Sequence, residues 1–417
     1  MKPHPRLLSL TRPQKAALLL SSASGLLAVA VFIRMTSAGI SSDVLTHAQI
    51  AKDQWDAGWW YTYTLWSPLL LLVSVGGHLV SLRVASVALL SLAVVLRVVL
   101  ARRLACSWGI RGRAAIAMAA ALLIATPILA LHHPVLHAPD YSSSLSGAIY
   151  LGRFSAVVWH NSTMIACAPL VLLAADAARR SFESLEFRRV AEFGTVLAVS
   201  ALMKPNYAMA ALPVLLPVLL WRAHRGNVRG AGELSAMALV IAGPTSVVLL
   251  LQVVLVRRAP FLVPIRFTLE PFAVWRYYAA SPALALLQSL AFPLVATIMV
   301  LLIKPRGQAW LGISWAVTGV GIAQLALLGE RNRLTGLPIF AGNWFWGPHL
   351  AVLVLFLASG AALASAQDSE SWVDSRGVSR VFRRFGPTFA WLVLAAHAAS
   401  GALYVWRIFN YKSGFAT

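Results

Sequence analysis

The chain contains, at residues 15–37, the run KAALLLSSASGLLAVAVFIRMTS, which has no charged side chain between Lys15 and Arg34. A helix needs roughly 20 predominantly apolar residues to cross a hydrocarbon core of about 30 Å. The run therefore predicts a membrane-crossing helix. It lacks a small-residue cleavage site and is followed by more runs of the same kind, so we interpret it as a retained crossing and not as a cleavable signal.

Further runs of spanning length follow near 84–102, 113–131, 160–178, 190–222, 235–256, 283–303, 309–328, 346–365 and 388–407. The 190–222 run is too long for one crossing and carries Lys204-Pro205-Asn206 in its middle. Proline removes a helix donor and disfavours helix at the preceding residue, so this run predicts two crossings joined by a tight turn. The sequence thus predicts an all-α polytopic membrane protein, a single transmembrane domain over 1–417 with about eleven transmembrane helices.

Composition supports a membrane protein and excludes other classes. Of 417 residues, 59% are apolar and 12% are charged, with a mean hydropathy of +0.74. A soluble chain is nearer a quarter charged. The formal net charge is +21, but the basic residues lie in short loops, so we attribute the charge to membrane topology and expect no nucleic-acid partner. The two cysteines, Cys106 and Cys167, provide neither a disulfide framework nor a metal knuckle.

Basic loops also predict the orientation. With a cytoplasmic N-terminus, 21 of the 35 basic residues fall on the cytoplasmic side, in the N-terminal tail and in segments 102–113, 179–189, 222–229, 304–306 and 376–384. All these basic segments can lie on the cytoplasmic side only if 66–80 does not cross the membrane. We therefore predict that 66–80, like 42–57, forms a helix lying along the outer interface. Arginine outnumbers lysine and alanine is abundant, which indicates a GC-rich bacterial source. We therefore expect a multi-pass protein of the bacterial inner (plasma) membrane.

The outer segments hold the polar residues that topology does not explain. They are 38–83, 132–159, 257–282 and 329–345, the longest loops of the chain. Six of the 14 acidic residues fall there, and the other eight lie in or beside cytoplasmic loops. An active site is therefore expected to face the periplasm or cell exterior.

The first outer segment begins with SSDVLTHAQIAKDQWDAGWW at residues 41–60. Ser42 is a predicted N-cap, and apolar residues recur at helical spacing from Val44 to Trp55. Asp43 and His47 are four residues apart, so their side chains meet on another face. The pattern predicts an amphipathic helix on the membrane surface directly after the first crossing. Two interpretations remain open: an interfacial anchor whose acids face water, or a helix that carries catalytic groups.

The order of motifs in the N-terminal quarter of the chain resembles a known family. Asp43 and Gly58 are followed by Ser67-Pro68-Leu69, Arg83-Val84-Ala85-Ser86 and Ala101-Arg102-Arg103-Leu104. This series is similar to that of the GT-C superfamily of membrane glycosyltransferases over roughly 13–105, in particular the protein O-mannosyltransferases and the lipid A aminoarabinose transferases. The chain departs from the pattern with Val44 for a second acid, Ser67 for a first proline and Val84-Ala85 for Leu-Pro.

The resemblance implies inverting transfer of a sugar from a polyprenyl-phosphate donor to a glycan, lipid or protein acceptor on the outer side, among membrane lipids. It makes 38–83 the catalytic loop and assigns Asp43 as general base or as the group that orients the acceptor and a metal. Inverting transfer needs a carboxylate to take the acceptor's proton, and a phosphate leaving group needs cations. His47, on the same face as Asp43, is expected to hydrogen-bond it or the sugar.

The second outer segment offers two alternatives. His132, His133, His137 and Asp140 lie within nine residues. They fit either a metal cluster or a second active-site carboxylate at Asp140, the assignment that the resemblance favours. No cofactor is firmly predicted, and a divalent metal ion stays open.

The remaining candidate residues are cations and aromatic or amide side chains on the outer side. A lone cation at membrane depth usually faces a polar cavity, and arginine binds phosphate bidentately. The predicted donor-phosphate patch comprises Lys204, Arg257, Arg258, Arg266, Arg276, Arg331 and Arg333. The predicted sugar or acceptor residues are His160, Asn161, Asn343, Trp344 and Trp346. The alternative for these residues is an N-cap, snorkelling arginines and an interfacial aromatic belt.

Two other functions were weighed against glycosyl transfer. A polymerase or ligase of lipid-linked glycans would also use outer arginines, but an acidic helix after the first crossing is not its usual hallmark. A transporter or flippase of lipid-linked glycans would favour paired halves and ionisable groups at mid-membrane. The chain has no internal repeat, and its clearest intramembrane charge, Arg97, is expected to snorkel inward.

Overall fold

The computed structural model describes residues 11–37, 42–58, 64–128, 152–226, 230–258, 264–303, 309–340, 342–367 and 380–410. Its helices are α1 Arg12–Thr36, α2 Asp43–Asp56, α3 Trp66–Val73, α4 Leu79–Ser107, α5 Gly112–Ile124, α6 Ser162–Ser184, α7 Phe187–Met203, α8 Asn206–Arg225, α9 Ala231–Arg258, α10 Ala273–Tyr278, α11 Pro282–Ile303, α12 Ala309–Leu327, α13 Trp346–Gln367 and α14 Arg380–Asn410. Two strands, β1 Ile265–Leu269 and β2 Leu328–Asn332, and a 3-10 turn at Asn343–Phe345 complete the described elements.

The all-α polytopic class is confirmed. Within the described ranges, nine helices are long and apolar enough to cross a membrane: α1, α4, α6, α8, α9, α11, α12, α13 and α14. The shorter α5 and α7 occupy two more of the predicted crossings. Eleven crossings therefore remain a prediction, in which α5 and α7 must supply the last two.

The predicted crossing at 113–131 is shorter in the structure because α5 ends at Ile124. The carbonyl groups of Leu122 and Leu123 would ordinarily accept from residues 126 and 127. The Thr126 N–H instead donates to the His397 carbonyl at 3.1 Å, and residue 127 is proline, which has no N–H. Arg97 Nη2 takes their place, donating to Leu122 O at 3.0 Å and Leu123 O at 2.9 Å.

This contact also corrects the expectation for Arg97. Its side chain does not snorkel to the cytoplasmic surface but is buried in the bundle, 2% exposed. A cation at the end of a helix meets its orphan carbonyls and the negative end of its dipole. Arg97, the clearest intramembrane charge of the chain, therefore binds the free carbonyl groups at the end of α5.

The first helix of the first outer segment, α2, forms where the sequence predicts it, whereas the predicted helix at 66–80 is shorter, because α3 ends at Val73 and α4 already begins at Leu79. The Ser42 hydroxyl accepts the Val44 N–H at 3.1 Å, which makes Ser42 the N-cap of α2. Val44, Ala48 and Ala51 are buried, and α2 packs on α1, α3, α4 and α6. Trp55, the last residue of the predicted apolar face, stays partly exposed. One face of α2 is thus fixed against the bundle while Asp43 and His47 remain half-buried at its edge.

The two strands are not predicted by the sequence. β1 and β2 form an antiparallel ribbon that joins the third and fourth outer segments, with Arg266 opposite Arg331 and Phe267 opposite Glu330. Successive strand residues point to opposite faces. The ribbon therefore separates the two arginines from the face that carries Phe267 and Glu330.

Charged pairs mark the opposite end of the bundle. Arg180 donates to Asp176 at 3.0 Å and to Glu192 at 2.8 Å, which links the end of α6 to α7. Trp108, after the end of α4, donates to Asp176 at 3.4 Å. These residues belong to segments predicted to be cytoplasmic. At the other end, Arg34 Nε donates to the Ile408 carbonyl at 3.4 Å, so the last turns of α1 and α14 lie side by side.

Candidate active site at one end of the helix bundle

Asn161 joins two predicted site elements. Its side-chain oxygen accepts from Met164 N at 3.0 Å and from Thr163 Oγ1 at 2.9 Å, which caps α6. Because the oxygen is fixed towards the helix, the amide nitrogen points away from it and donates to Asp43 Oδ2 at 3.1 Å. Asn161 is therefore both an N-cap and a partner of the predicted catalytic acid.

Lys204 lies on the other side of Asn161. It occupies the turn between α7 and α8, with the extended backbone expected before Pro205. Its ammonium group donates to Thr163 Oγ1 at 2.7 Å and Asn161 Oδ1 at 3.4 Å, and lies 4.8 Å from the Trp346 ring centroid. Burial lowers the pKa of Lys204 from 10.5 to about 8, against the opposing effects of Cys167 and Asp43. Asp43, the predicted base, and Lys204, the predicted phosphate ligand, thus both contact the side-chain amide of Asn161.

His47 is held neutral beside them. Burial lowers its pKa from 6.5 to about 4; the negative charge of Asp43 opposes this shift and the positive charge of Lys204 adds to it. A neutral imidazole can donate from one ring nitrogen and accept at the other. His47 can therefore hydrogen-bond a hydroxyl group next to Asp43 without competing for its proton near neutral pH.

His160, the residue before Asn161, is buried. Its Nδ1 lies 2.9 Å from the Tyr404 hydroxyl, and its ring centroid is 6.0 Å from that of Trp346. Burial, reinforced by the charge of Lys204, lowers its pKa to about 3. His160 therefore acts as a neutral link between the start of α6, the start of α13 and the end of α14.

A second carboxylate lies at the edge of the cluster. Glu330, in β2, is 4% exposed and accepts from Asn343 Nδ2 at 3.0 and 3.3 Å. Burial raises its pKa, and the Asn343 hydrogen bonds oppose that shift. The Asn343 carbonyl in turn accepts from Asn206 Nδ2 at 2.9 Å. Asn206 follows Lys204 by two residues. The fourth outer segment is thereby joined to the α7–α8 turn.

The charges of both carboxylates act on Tyr278. Burial raises the pKa of its phenol, and so do, in lesser measure, Tyr277, Asp43 and Glu330. Its hydroxyl donates to the Phe340 carbonyl. We define the site cluster as Asp43, His47, His160, Asn161, Thr163, Lys204, Asn206, Tyr278, Glu330, Asn343 and Trp346.

Two of the predicted arginines, Arg331 and Arg276, have partners outside the site cluster. Arg331 forms an ion pair with Glu270 and also donates to the Gly336 carbonyl at 3.0 Å. Arg276 lies 5.7 Å from the Phe272 ring centroid, and Arg266 and Arg333 are exposed on or beside the ribbon. For Arg257 and Arg258 only the helical backbone of α9 is described. A single patch that unites these arginines with Lys204 remains a prediction. Trp344 packs its ring edge against Phe267 of the ribbon, 5.5 Å between centroids.

The metal hypothesis falls largely outside the described residues. Asp140 and the histidines at 132, 133 and 137 all lie in the undescribed range 129–151. Among the residues that the structure does describe, no group of three or more His, Cys, Asp or Glu side chains is placed to hold a metal ion.

The sequence analysis missed the roles of Thr163, Tyr278, Glu330 and Tyr404. Glu330 carries a readable signal, since it is one of only six acids in the outer segments. Thr163 follows the predicted cap Asn161 by two residues, a spacing at which a hydroxyl and an amide meet. Tyr404 carries no signal, because its partner His160 is 244 residues away in the chain.

No protein-family model matches the sequence, and no curated protein matches it at a significant level. The chain is similar to the crystal structure of ArnT from Cupriavidus metallidurans bound to undecaprenyl phosphate. The similarity has a TM-score of 0.44 and 16% sequence identity, and it covers 94% of this chain and 71% of that chain.

Proposed function

We propose that the chain is a membrane glycosyltransferase of the GT-C type. In this proposal it transfers a sugar, with inversion, from a polyprenyl-phosphate donor to an acceptor hydroxyl on the periplasmic or extracellular side. The observation that carries the proposal is the arrangement of Asp43 and Lys204 on the two ends of the Asn161 amide. A carboxylate and a buried ammonium group that contact the same amide are the two charges that this reaction requires.

In the proposed reaction, the acceptor oxygen attacks the anomeric carbon of the sugar from the face opposite the phosphate. The bond between that carbon and the phosphate oxygen breaks, and its electron pair leaves with the polyprenyl phosphate. Asp43 takes the proton of the acceptor hydroxyl. The second oxygen of Asp43 is bound by Asn161, which orients the carboxylate without protonating it.

Lys204 supports the departure of the phosphate. An ammonium ion binds phosphate as a point charge, and its attraction is strongest where water is excluded. The Thr163 hydroxyl and the Trp346 ring hold the ammonium group at the edge of the cluster. His47, neutral and half-buried, is proposed to bind a sugar or acceptor hydroxyl, and Trp346 is proposed to stack on the sugar ring.

The test compares Asp43→Asn with Asp53→Asn in membranes that contain each variant. Asp53 is a carboxylate of the same helix, which accepts from Gln49 at 2.8 Å on the exposed side. Release of polyprenyl phosphate from a panel of polyprenyl-phosphate sugars is measured in the presence of cell-envelope acceptors. We expect Asp43→Asn to lose about 10²–10⁴ in rate, as for removal of a general base, and Asp53→Asn to retain normal activity.

The outcome also separates the alternatives. Equal activity of the two variants would reduce Asp43 to an interfacial acid. Movement of intact donor across the membrane, with no released polyprenyl phosphate, would favour a flippase. Extension of a glycan that stays on its own diphosphate lipid would favour a polymerase.

A further inference from the structure

A small cavity inside the helix bundle is lined by none of the residues of the site cluster. It lies between α4, α6, α13 and the segment that precedes α6, with lining residues that include Arg97, Ala156, Met164, Ala168, His349 and Leu353. The volume of the cavity is about 10 Å³. That is room for about one water molecule or one ion of similar size.

The cavity has a positive wall. Arg97 is 2% exposed, and the two backbone carbonyls at the end of α5 are the acceptors of its Nη2. Its Nε is buried and has no hydrogen-bond partner. None of the ion pairs among the described residues includes Arg97. The helix end supplies only about half a negative charge, so the guanidinium is not neutralised.

The second polar lining residue is also a donor. His349 Nδ1 accepts the backbone N–H of Ser155 at 2.8 Å. The Ser155 carbonyl oxygen lies 3.1 Å from the same nitrogen, but the N–H hydrogen is fixed in position and sets the tautomer. The proton of the neutral ring is therefore on Nε2. Among the residues that the structure describes, every lining side chain other than Arg97 and His349 is apolar.

We propose that this cavity binds one small inorganic anion of the chloride class. A buried charge is stable only when it is paired, and the lining side chains supply donors but no acceptor. A water molecule would bring two further donors into the same space, whereas a halide ion is an acceptor with the missing charge. The anion would hold α4, α6 and α13 together beneath the site cluster. This proposal does not depend on the proposed transferase activity.

The test is thermal unfolding of the purified full chain in detergent, with chloride exchanged for gluconate at constant ionic strength. Gluconate is too large for the cavity. A ligand that binds only the folded state raises Tm by mass action, so we expect a saturable rise of about 2 °C or more with chloride and with bromide. Equal Tm values in all salts would show that the cavity holds water and would overturn the proposal.

Two valine variants on α6 localise the effect. Ala168→Val fills the cavity and leaves the Arg97 contacts in place, whereas Ala166→Val adds the same methyl groups to the same helix away from the lining. Chloride should stabilise the wild-type chain and Ala166→Val but not Ala168→Val. An unchanged response in Ala168→Val would place the ion elsewhere and contradict the proposal.

A direct observation keeps the proposal testable if Ala168→Val does not fold. Crystals of the wild-type chain grown in bromide should show an anomalous peak in the cavity lined by Arg97 and His349. Absence of a peak there, in crystals that show bromide at other positions, would overturn the assignment.

Discussion

Asn161 donates a hydrogen bond of 3.1 Å to Asp43, which ties the start of α6 to the start of α2 across 118 residues of sequence. Both residues lie at helix starts, where backbone geometry fixes the side-chain direction. Replacement of Asn161 by aspartate should keep the cap of α6, because an aspartate oxygen also accepts from the Met164 N–H. The change places a second negative charge beside Asp43 instead of a donor.

For Asn161→Asp we expect a folded protein with a loss of activity of about tenfold or more. Like charges at this distance disfavour joint ionisation, so the acidic limb of the rate profile should move to higher pH. The measurement is transfer rate against pH, with Asn161→Ser as a variant that keeps the cap and adds no charge. An unshifted acidic limb would show that the two side chains do not act on each other.

Lys204 provides a pH prediction. Because burial lowers its pKa to about 8, the ammonium form is present below that value and is lost as pH rises through it. If Lys204 binds the donor phosphate, the donor Kd should be constant up to about pH 7 and rise roughly tenfold or more by about pH 9.5, since a hydrogen bond to a charged group contributes about 1.5–3 kcal/mol.

The measurement is donor Kd against pH for the wild-type chain and for Lys204→Arg, whose guanidinium stays charged over this range. The Arg variant should bind with a flat profile whatever its absolute affinity. A wild-type profile that is equally flat would remove Lys204 from the phosphate site.

Replacement of Glu330 and of Glu270 by glutamine should change the stability of the fold in opposite directions. Burial raises the pKa of Glu330, so its ionised form is less favourable in the folded chain than in the unfolded chain, and the fold loses stability as pH rises through that pKa. Glu330→Gln removes this cost and keeps an acceptor for Asn343. We expect Glu330→Gln to have a higher Tm than the wild type at pH 7, because its free energy of unfolding is larger by an amount on the order of 1 kcal/mol. The difference should vanish in acid.

Glu270→Gln is the matched control. The hydrogen bond from Arg331 lowers the pKa of Glu270, so its ionised form contributes stability that is present at neutral pH and lost as pH falls. This variant should be less stable than the wild type at pH 7 and equal to it in acid. Shifts of the same sign in both variants would contradict the assignment of these two environments.

The helices were predictable because the bilayer imposes a length on every crossing. The break at Pro205 was also readable, since proline acts locally, and the structure ends α7 at Met203 and begins α8 at Asn206. The early end of α5 could be predicted from the sequence only in part. Pro127 is visible in the sequence, but the donor that replaces its missing N–H is Arg97, from another helix.

Three residues of the site cluster could be selected from the sequence, but their contacts could not. Asp43, Lys204 and Asn161 stood out because polar groups on the outer side need an explanation. Which of them meet depends on packing between segments separated by more than 40 residues, as in the contact between Lys204 and Thr163. The β1–β2 ribbon was missed for the same reason, because each strand has only five residues and its partner lies in another loop.

The orientation of the bundle gives the last prediction. Asp43, Asn161, Lys204 and Trp346 come from segments that the positive-inside pattern places outside, and they meet at one end of the structure. If the pattern is right, that end faces the periplasm or exterior and the charged network of α6 and α7 faces the cytoplasm. Two positions with exposed side chains report on the two ends. Asp56 lies at the end of α2, and the native Cys106 near the end of α4.

A membrane-impermeant maleimide applied to intact cells should label Asp56→Cys in a Cys106→Ser background. It should label native Cys106 only after permeabilisation, and the buried Cys167 in neither case. Glu183→Cys, beside the charged network, is a second inner reporter and should behave as Cys106 does. Because all three positions are solvent-exposed, their labelling depends on the side of the membrane and not on burial. Labelling of Cys106 in intact cells, with Asp56→Cys protected, would invert the topology and place the proposed active site in the cytoplasm, where the outer-side reaction argued above could not occur.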